Sequence, residues 1–237
     1  MLSKIKDGSY VLVSDVYSHR WLDGFGTGIS KHTPSSGIPS DDTTNEFSSW
    51  VMTETGTNTC VNSVTANSLF TMTTGATEYN GYSSQLKGEA FAAGSNKPFY
   101  VGGRFSINDA TQSDFLFGLA ETDTTLTAAS AAHAIGVSGA GFFFAKIDGS
   151  TAISFYVYSG GAEVTSIAVG TMDTDLHDYE IYFDGQFVNV YFDGVKVGCT
   201  DTSLPTVATT VSLSARCGSG VARILECAWL KAIQAAS

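Results

Sequence analysis

The sequence predicts an all-β protein, an antiparallel β-sandwich built from two packed sheets. Its 237 residues are rich in Thr, Ser, Val, Tyr, Phe and Gly, with aromatics at 12% and 25 glycines, while Lys, Glu and Leu are scarce. That composition favours strands and tight turns over helices. Apolar and polar residues alternate at period two, as in Tyr179, Ile181 and Phe183 against Glu180, Tyr182 and Asp184, and this period marks a strand. Asp-Gly recurs at Asp148-Gly149, Asp184-Gly185 and Asp193-Gly194, supplying the positive φ that tight hairpins require.

The chain divides at about residue 44. Residues 1–44 are irregular, with one strand-like run at Tyr10 to Tyr17, glycines at 24, 26 and 28, and a turn-rich stretch from Thr33 to Asp42. Tyr10, Val11, Val13, Val16, Tyr17, Trp21 and Phe25 make this segment too apolar for a solvated tail, so it reads as an arm docked on its own domain or on a neighbour. Residues 45–237 read as one domain. Strands are expected at Ser68–Thr73, Tyr82–Leu86, Phe99–Ile107, Phe115–Ala120, Ala134–Ser138, Gly141–Ile147, Ile153–Tyr158 and Thr165–Val169. A three-stranded meander follows over Asp178–Cys199, then strands at Val211–Ala215 and Ala222–Lys231. Roughly a dozen strands with frequent turn signals suit a sandwich. Thr124–His133 reads as one short turn of helix.

Composition also excludes some functions. The net charge of −11, from 23 acids against 12 bases without a basic cluster, repels phosphate backbones, so no nucleic-acid partner is expected. No apolar run of about 18 residues is present to span a membrane. Met1 to Tyr10 lacks the layout of a signal peptide, which predicts synthesis in a cytoplasm. Cys60, Cys199, Cys217 and Cys227 show no CxxC spacing, and buried thiols are expected rather than a disulfide framework.

The order of segments resembles the concanavalin A-like lectin/glucanase jelly roll over about Glu46 to Gln234. The residues that carry the likeness are Asn45-Glu46-Phe47 with Trp50, the strand Phe99 to Ile107, Phe117-Gly118-Leu119-Ala120, and above all the meander Tyr179 to Gly198. In that family such a meander commonly contributes to the concave sheet. The version here, with Glu121-Thr122-Asp123-Thr124-Thr125 following Ala120, looks most like modules of tailed-phage virion proteins, including head decoration proteins. The resemblance implies a non-catalytic capsid decoration protein of the virion, homo-oligomeric, with the major capsid or another virion protein as partner. Its alternative is a lectin-like module that attaches to cell-surface glycans.

Candidate residues follow from chemistry. A retaining glycosidase needs two carboxylates about 5 Å apart, and no Glu-x-Asp-x-Glu run is present, with Glu180 to Asp184 and Glu226 among apolar neighbours the nearest approaches. No catalytic residue, cofactor or metal is therefore expected. Loop acids Glu121, Asp123, Asp173, Asp175 and Asp201 have the oxygen chemistry for calcium but suit turns equally well. His19, His32, His133 and His177 lack metal-ligand spacing. For the virion reading, Tyr10, Tyr17, Trp21 and Phe25 are the anchors expected to touch a partner, because aromatic side chains dominate interface energetics. For the glycan reading, Tyr156, Tyr158, Tyr182 and Tyr191 are the expected stacking platforms, with Tyr79 and Tyr82 as further candidates.

Overall fold

The computed structural model describes residues 50–61, 70–128 and 132–235, together with the backbone of three N-terminal strands. Those three are β1 (Leu2–Lys4), β2 (Tyr10–Leu12) and β3 (Ser18–Trp21). The others are β4 (Trp50–Thr55), β5 (Thr59–Val61), β6 (Phe70–Thr73), β7 (Gly81–Leu86), β8 (Phe99–Ile107), β9 (Ser113–Ala120) and β10 (Gly141–Lys146). Next come β11 (Ala152–Ser159), β12 (Ala162–Thr171), β13 (His177–Phe183), β14 (Val188–Phe192), β15 (Val195–Thr200), β16 (Thr210–Cys217) and β17 (Ile224–Ala235). One sheet runs β12-β11-β10-β9-β16-β7-β4 and the other β15-β14-β13-β8-β17-β6-β5, all pairs antiparallel. This is the sandwich that the composition predicts.

Alternation decides which side chains meet between the sheets. Phe115, Phe117 and Leu119 of β9 and Phe142 and Phe144 of β10 face Phe99, Val101 and Phe105 of β8 and Tyr179, Ile181 and Phe183 of β13 in one buried cluster. Phe105 is at the centre, its ring 4.6 Å from Phe117 and 5.7 Å from Phe115. Gly103 makes the room, since a Cβ there would stand 2.4 Å from the Phe105 ring. Each such aromatic contributes about 1.5–3 kcal/mol through burial. Tyr179 is fully buried in the same cluster, and its hydroxyl has no hydrogen-bond partner. Burial raises that phenol's pKa. Tyr179→Phe, which removes an unsatisfied polar atom, is expected to stabilise the fold by about 1 kcal/mol; a urea titration showing a loss instead would mean that the hydroxyl is bonded.

The Asp-Gly turns behave as their chemistry requires. Asp193 and Gly194 take φ of 49° and 71° in the two-residue link between Phe192 and Val195, the geometry of a type I′ hairpin. Gly149 and Gly185 also have positive φ and close the β10–β11 and β13–β14 hairpins. The meander forms one edge of the eight-stranded sheet.

Two local expectations are corrected. Ala134–Ser138 is not a strand: it makes a single bridge, Thr127 to Ile135. The described residues of Thr124–His133 are not helical, because sheet side chains bind their backbone groups in place of helical partners. Strands β4 and β5 are additions, short and polar enough to escape the period-two signal. In the arm, the run Tyr10 to Tyr17 is a strand at Tyr10–Leu12, paired with Leu2–Lys4, and residues 13–17 lie outside the described residues. Ser18–Trp21 pairs with Ala232–Ala235 of β17, so this part of the arm joins its own domain. Cys217 and Cys227 are buried free thiols as expected, whereas Cys199, expected to be buried, is free and exposed in the edge strand β15.

Candidate functional site

The described residues of the link from β9 to β10, 121–128 and 132–140, form a strap laid over the outer face of the seven-stranded sheet. Its apolar residues Leu126 and Val137 are buried with Leu116, Ala120, Phe143 and Ala145 from the sheet below. Its backbone is held by a row of polar side chains on β7 and β16. Gln85 Nε2 donates to the Glu121 carbonyl at 2.9 Å, and Gln85 Oε1 accepts from Asp123 N at 2.7 Å. Ser83 Oγ accepts from Leu126 N at 3.2 Å. Arg216 Nε donates to both the carbonyl and the Oγ1 of Thr127 at 2.9 Å.

At one end of the strap the sheet gathers charge. Strand β9 runs antiparallel to β10 and β16, so Asp114 near its start pairs with Arg216 near the end of β16, and Phe115 pairs with Lys146 at the end of β10. All three charged residues are buried, Asp114 completely. Its Oδ1 accepts Asp148 N at 2.8 Å and its Oδ2 is 2.7 Å from His133 Nδ1 of the strap. Lys146 Nζ donates to the carbonyls of Ala110 and Ser113. Burial raises the Asp114 pKa against the opposing pull of His133 and the Asp148 amide, and it lowers Lys146 to about 8.

His133 faces carboxylates on both sides. Beyond Asp114, its Nε2 lies 3.4 Å from Glu78 Oε1 and 3.9 Å from Asp148 Oδ2, at ion-pair range though without an aligned hydrogen bond. Burial alone would lower the imidazole pKa, but the Asp114 hydrogen bond and the charges of Asp114 and Asp148 outweigh it and hold it above the usual range. The ring is covered by Tyr79, stacked at 4.6 Å and 24°. Tyr79 adopts φ 69°, a left-handed backbone that costs a non-glycine residue about 1–3 kcal/mol. Tyr79 N donates to the Cys217 carbonyl at 2.8 Å and its own carbonyl accepts from Arg216 at 3.1 Å. A half-buried aromatic ring therefore stands at the sheet rim beside the exposed Glu78 and the half-buried Asp148. A second imidazole, His177, has Nδ1 2.7 Å from Asp193 and Nε2 3.0 Å from Asp173, and stacks on Phe192.

The four expected stacking tyrosines do not form one site. Tyr156 and Tyr158 on β11 pack half-buried against Phe143 beside the strap. Tyr182 and Tyr191 belong to β13 and β14 of the other sheet. Tyr82 is in the core. Of the arm anchors, Tyr10 and Trp21 are strand residues of β2 and β3, whereas Tyr17 and Phe25 lie outside the described residues. Among the loop acids, Asp123 accepts from Thr125 N and Asp173 from Asp175 N within turns, while Asp123 also accepts from Ser138 and Glu121 from Ala140 N across the strap. The site missed in the sequence was marked there by a charge at the end of an apolar run: Asp114 in Ser-Asp-Phe-Leu-Phe, Lys146 in Phe-Phe-Phe-Ala-Lys and Arg216 in Ser-Leu-Ser-Ala-Arg.

No protein-family model matches the sequence, and no curated protein does. Solved structures do. The Emp47p carbohydrate recognition domain is 12% identical over 94% of this chain and 97% of that one, with a TM-score of 0.56. The metal-free Emp46p carbohydrate recognition domain is 13% identical over 79% and 89%, at 0.54. The Crh5 transglycosylase in complex with NAG is 12% identical over 80% and 79%, at 0.53. At such identities the likeness concerns architecture, and the architecture is the jelly roll of the concanavalin A-like lectins and glycosidases.

Proposed function

We propose that the protein is a non-catalytic, lectin-like carbohydrate-binding module that holds a sugar at the rim beside Tyr79. The observation that carries this reading is the Tyr79 ring, kept in a strained backbone conformation and stacked on His133 next to Glu78 and Asp148. An aromatic face supports the apolar face of a sugar ring, and neighbouring carboxylates accept its hydroxyls. The likeness to two carbohydrate recognition domains supports the same reading.

Decoration of a phage virion rests on the sequence resemblance, and an attachment module carried on a particle would satisfy both readings. The glycan reading is preferred because Ser18–Trp21 of the arm lies in its own sheet. Glycan-array screening followed by calorimetry tests it. Tyr79→Ala is expected to weaken binding of an identified glycan tenfold or more, about 1.4 kcal/mol. Unchanged affinity, or no glycan bound by the wild type, would sink the proposal.

A further inference from the structure

We propose that the strap is a proton-held cover, latched across the seven-stranded sheet by His133 in its charged form and loosened when that proton leaves. Neutral imidazole has one N–H and one lone pair, whereas imidazolium has two donors. With Nδ1 on Asp114 and Nε2 facing Glu78 and Asp148, a neutral ring that donates to Asp114 would turn its lone pair toward two carboxylates. The charged ring suits both sides. The groups around it are Asp114 of β9, Asp148 of the β10–β11 turn, and Glu78 and Tyr79 of the β6–β7 link. Lys146 and Arg216 are the cations that act on Asp114.

The latch is local to one end. The His133 end of the strap closes through Ala128 N to the Ala134 carbonyl at 2.8 Å and Gly136 N to the Leu126 carbonyl at 3.0 Å. The opposite end is held by Gln85, a side chain that does not titrate. Because the His133 pKa is raised in the fold, its contribution is complete below the unfolded value of about 6.5 and disappears as pH rises through the raised value. Lys146, lowered to about 8, has the opposite sign: its burial penalty falls as it loses its proton. Global stability therefore mixes the two, while exchange at the strap isolates the first. Opening would uncover Ser83, Ser214 and Arg216, which contact the strap or its Thr127 anchor.

Amide hydrogen exchange on the full chain tests the latch. Between about pH 6 and pH 9, after correction for intrinsic chemistry, Ala128 and Gly136 are expected to lose protection severalfold. Asp123, held by Gln85, is expected to keep its protection. His133→Gln, which retains Lys146, is expected to be unprotected at the same two amides at both pH values. Protection that persists at the high pH, or a His133→Gln protein with the wild-type pH response, overturns the proposal. Should that variant fail to fold, NMR titration of the wild-type imidazole decides, because a midpoint that differs from that of strap opening also overturns it.

Discussion

Asp114→Ala is expected to destabilise the protein by about 3–5 kcal/mol, the cost of removing one member of a buried ionic network. The side chain is wholly buried and interacts with His133, the Asp148 amide and the charges of Lys146 and Arg216. Its pKa is raised because burial outweighs those partners, so the network is costly to assemble. Removing the anion leaves buried Arg216 without the charge that opposes its desolvation, and Lys146 with only Asp148 and Asp109. Urea unfolding at about neutral pH measures the effect by the shift in midpoint at constant m. A loss below about 1 kcal/mol would mean that water reaches the cations after the substitution.

Phe105→Ala is expected to cost a similar amount, about 3–5 kcal/mol, for a different reason. Phe105 is completely buried, with Phe115, Phe117 and Tyr179 around it, and Gly103 beneath it has no side chain to collapse into the space. The cavity should remain open. A loss below about 2 kcal/mol would show that the sheets close over the gap. The two substitutions also separate by pH: the Asp114 effect must change as its partners titrate, whereas the Phe105 effect must not.

The sandwich was legible because its evidence is local. Phe99–Ile107 was assigned with the same limits as the observed strand, and the meander was punctuated by the Asp-Gly turns that form it. What escaped detection depends on partners distant in sequence. Ala134–Ser138 has a strand's composition, but its Gly136 donates to the Leu126 carbonyl within the strap instead of joining a ladder. Asp114 and His133 are 19 residues apart, and Glu78 approaches from another link; no spacing rule joins them. Tyr156, Tyr158 and Tyr182 alternate with core residues along their strands while Tyr191 is buried, and period two cannot say to which of two sheets a strand belongs. Tyr156 and Tyr182 therefore share a pattern without sharing a site.

Strand β17 has a consequence for the order in which the protein is completed. It lies between β8 on one side and β6 and β3 on the other, yet it follows every other strand among the described residues. While a nascent chain is growing, the eight-stranded sheet exists as separate pieces whose unpaired edges face one another, waiting for a seam that emerges from the ribosome after them. Such edges invite wrong partners, and their closure over long sequence separations is slow. Shielding of the nascent sheet by a chaperone, until β17 inserts, should therefore raise yield.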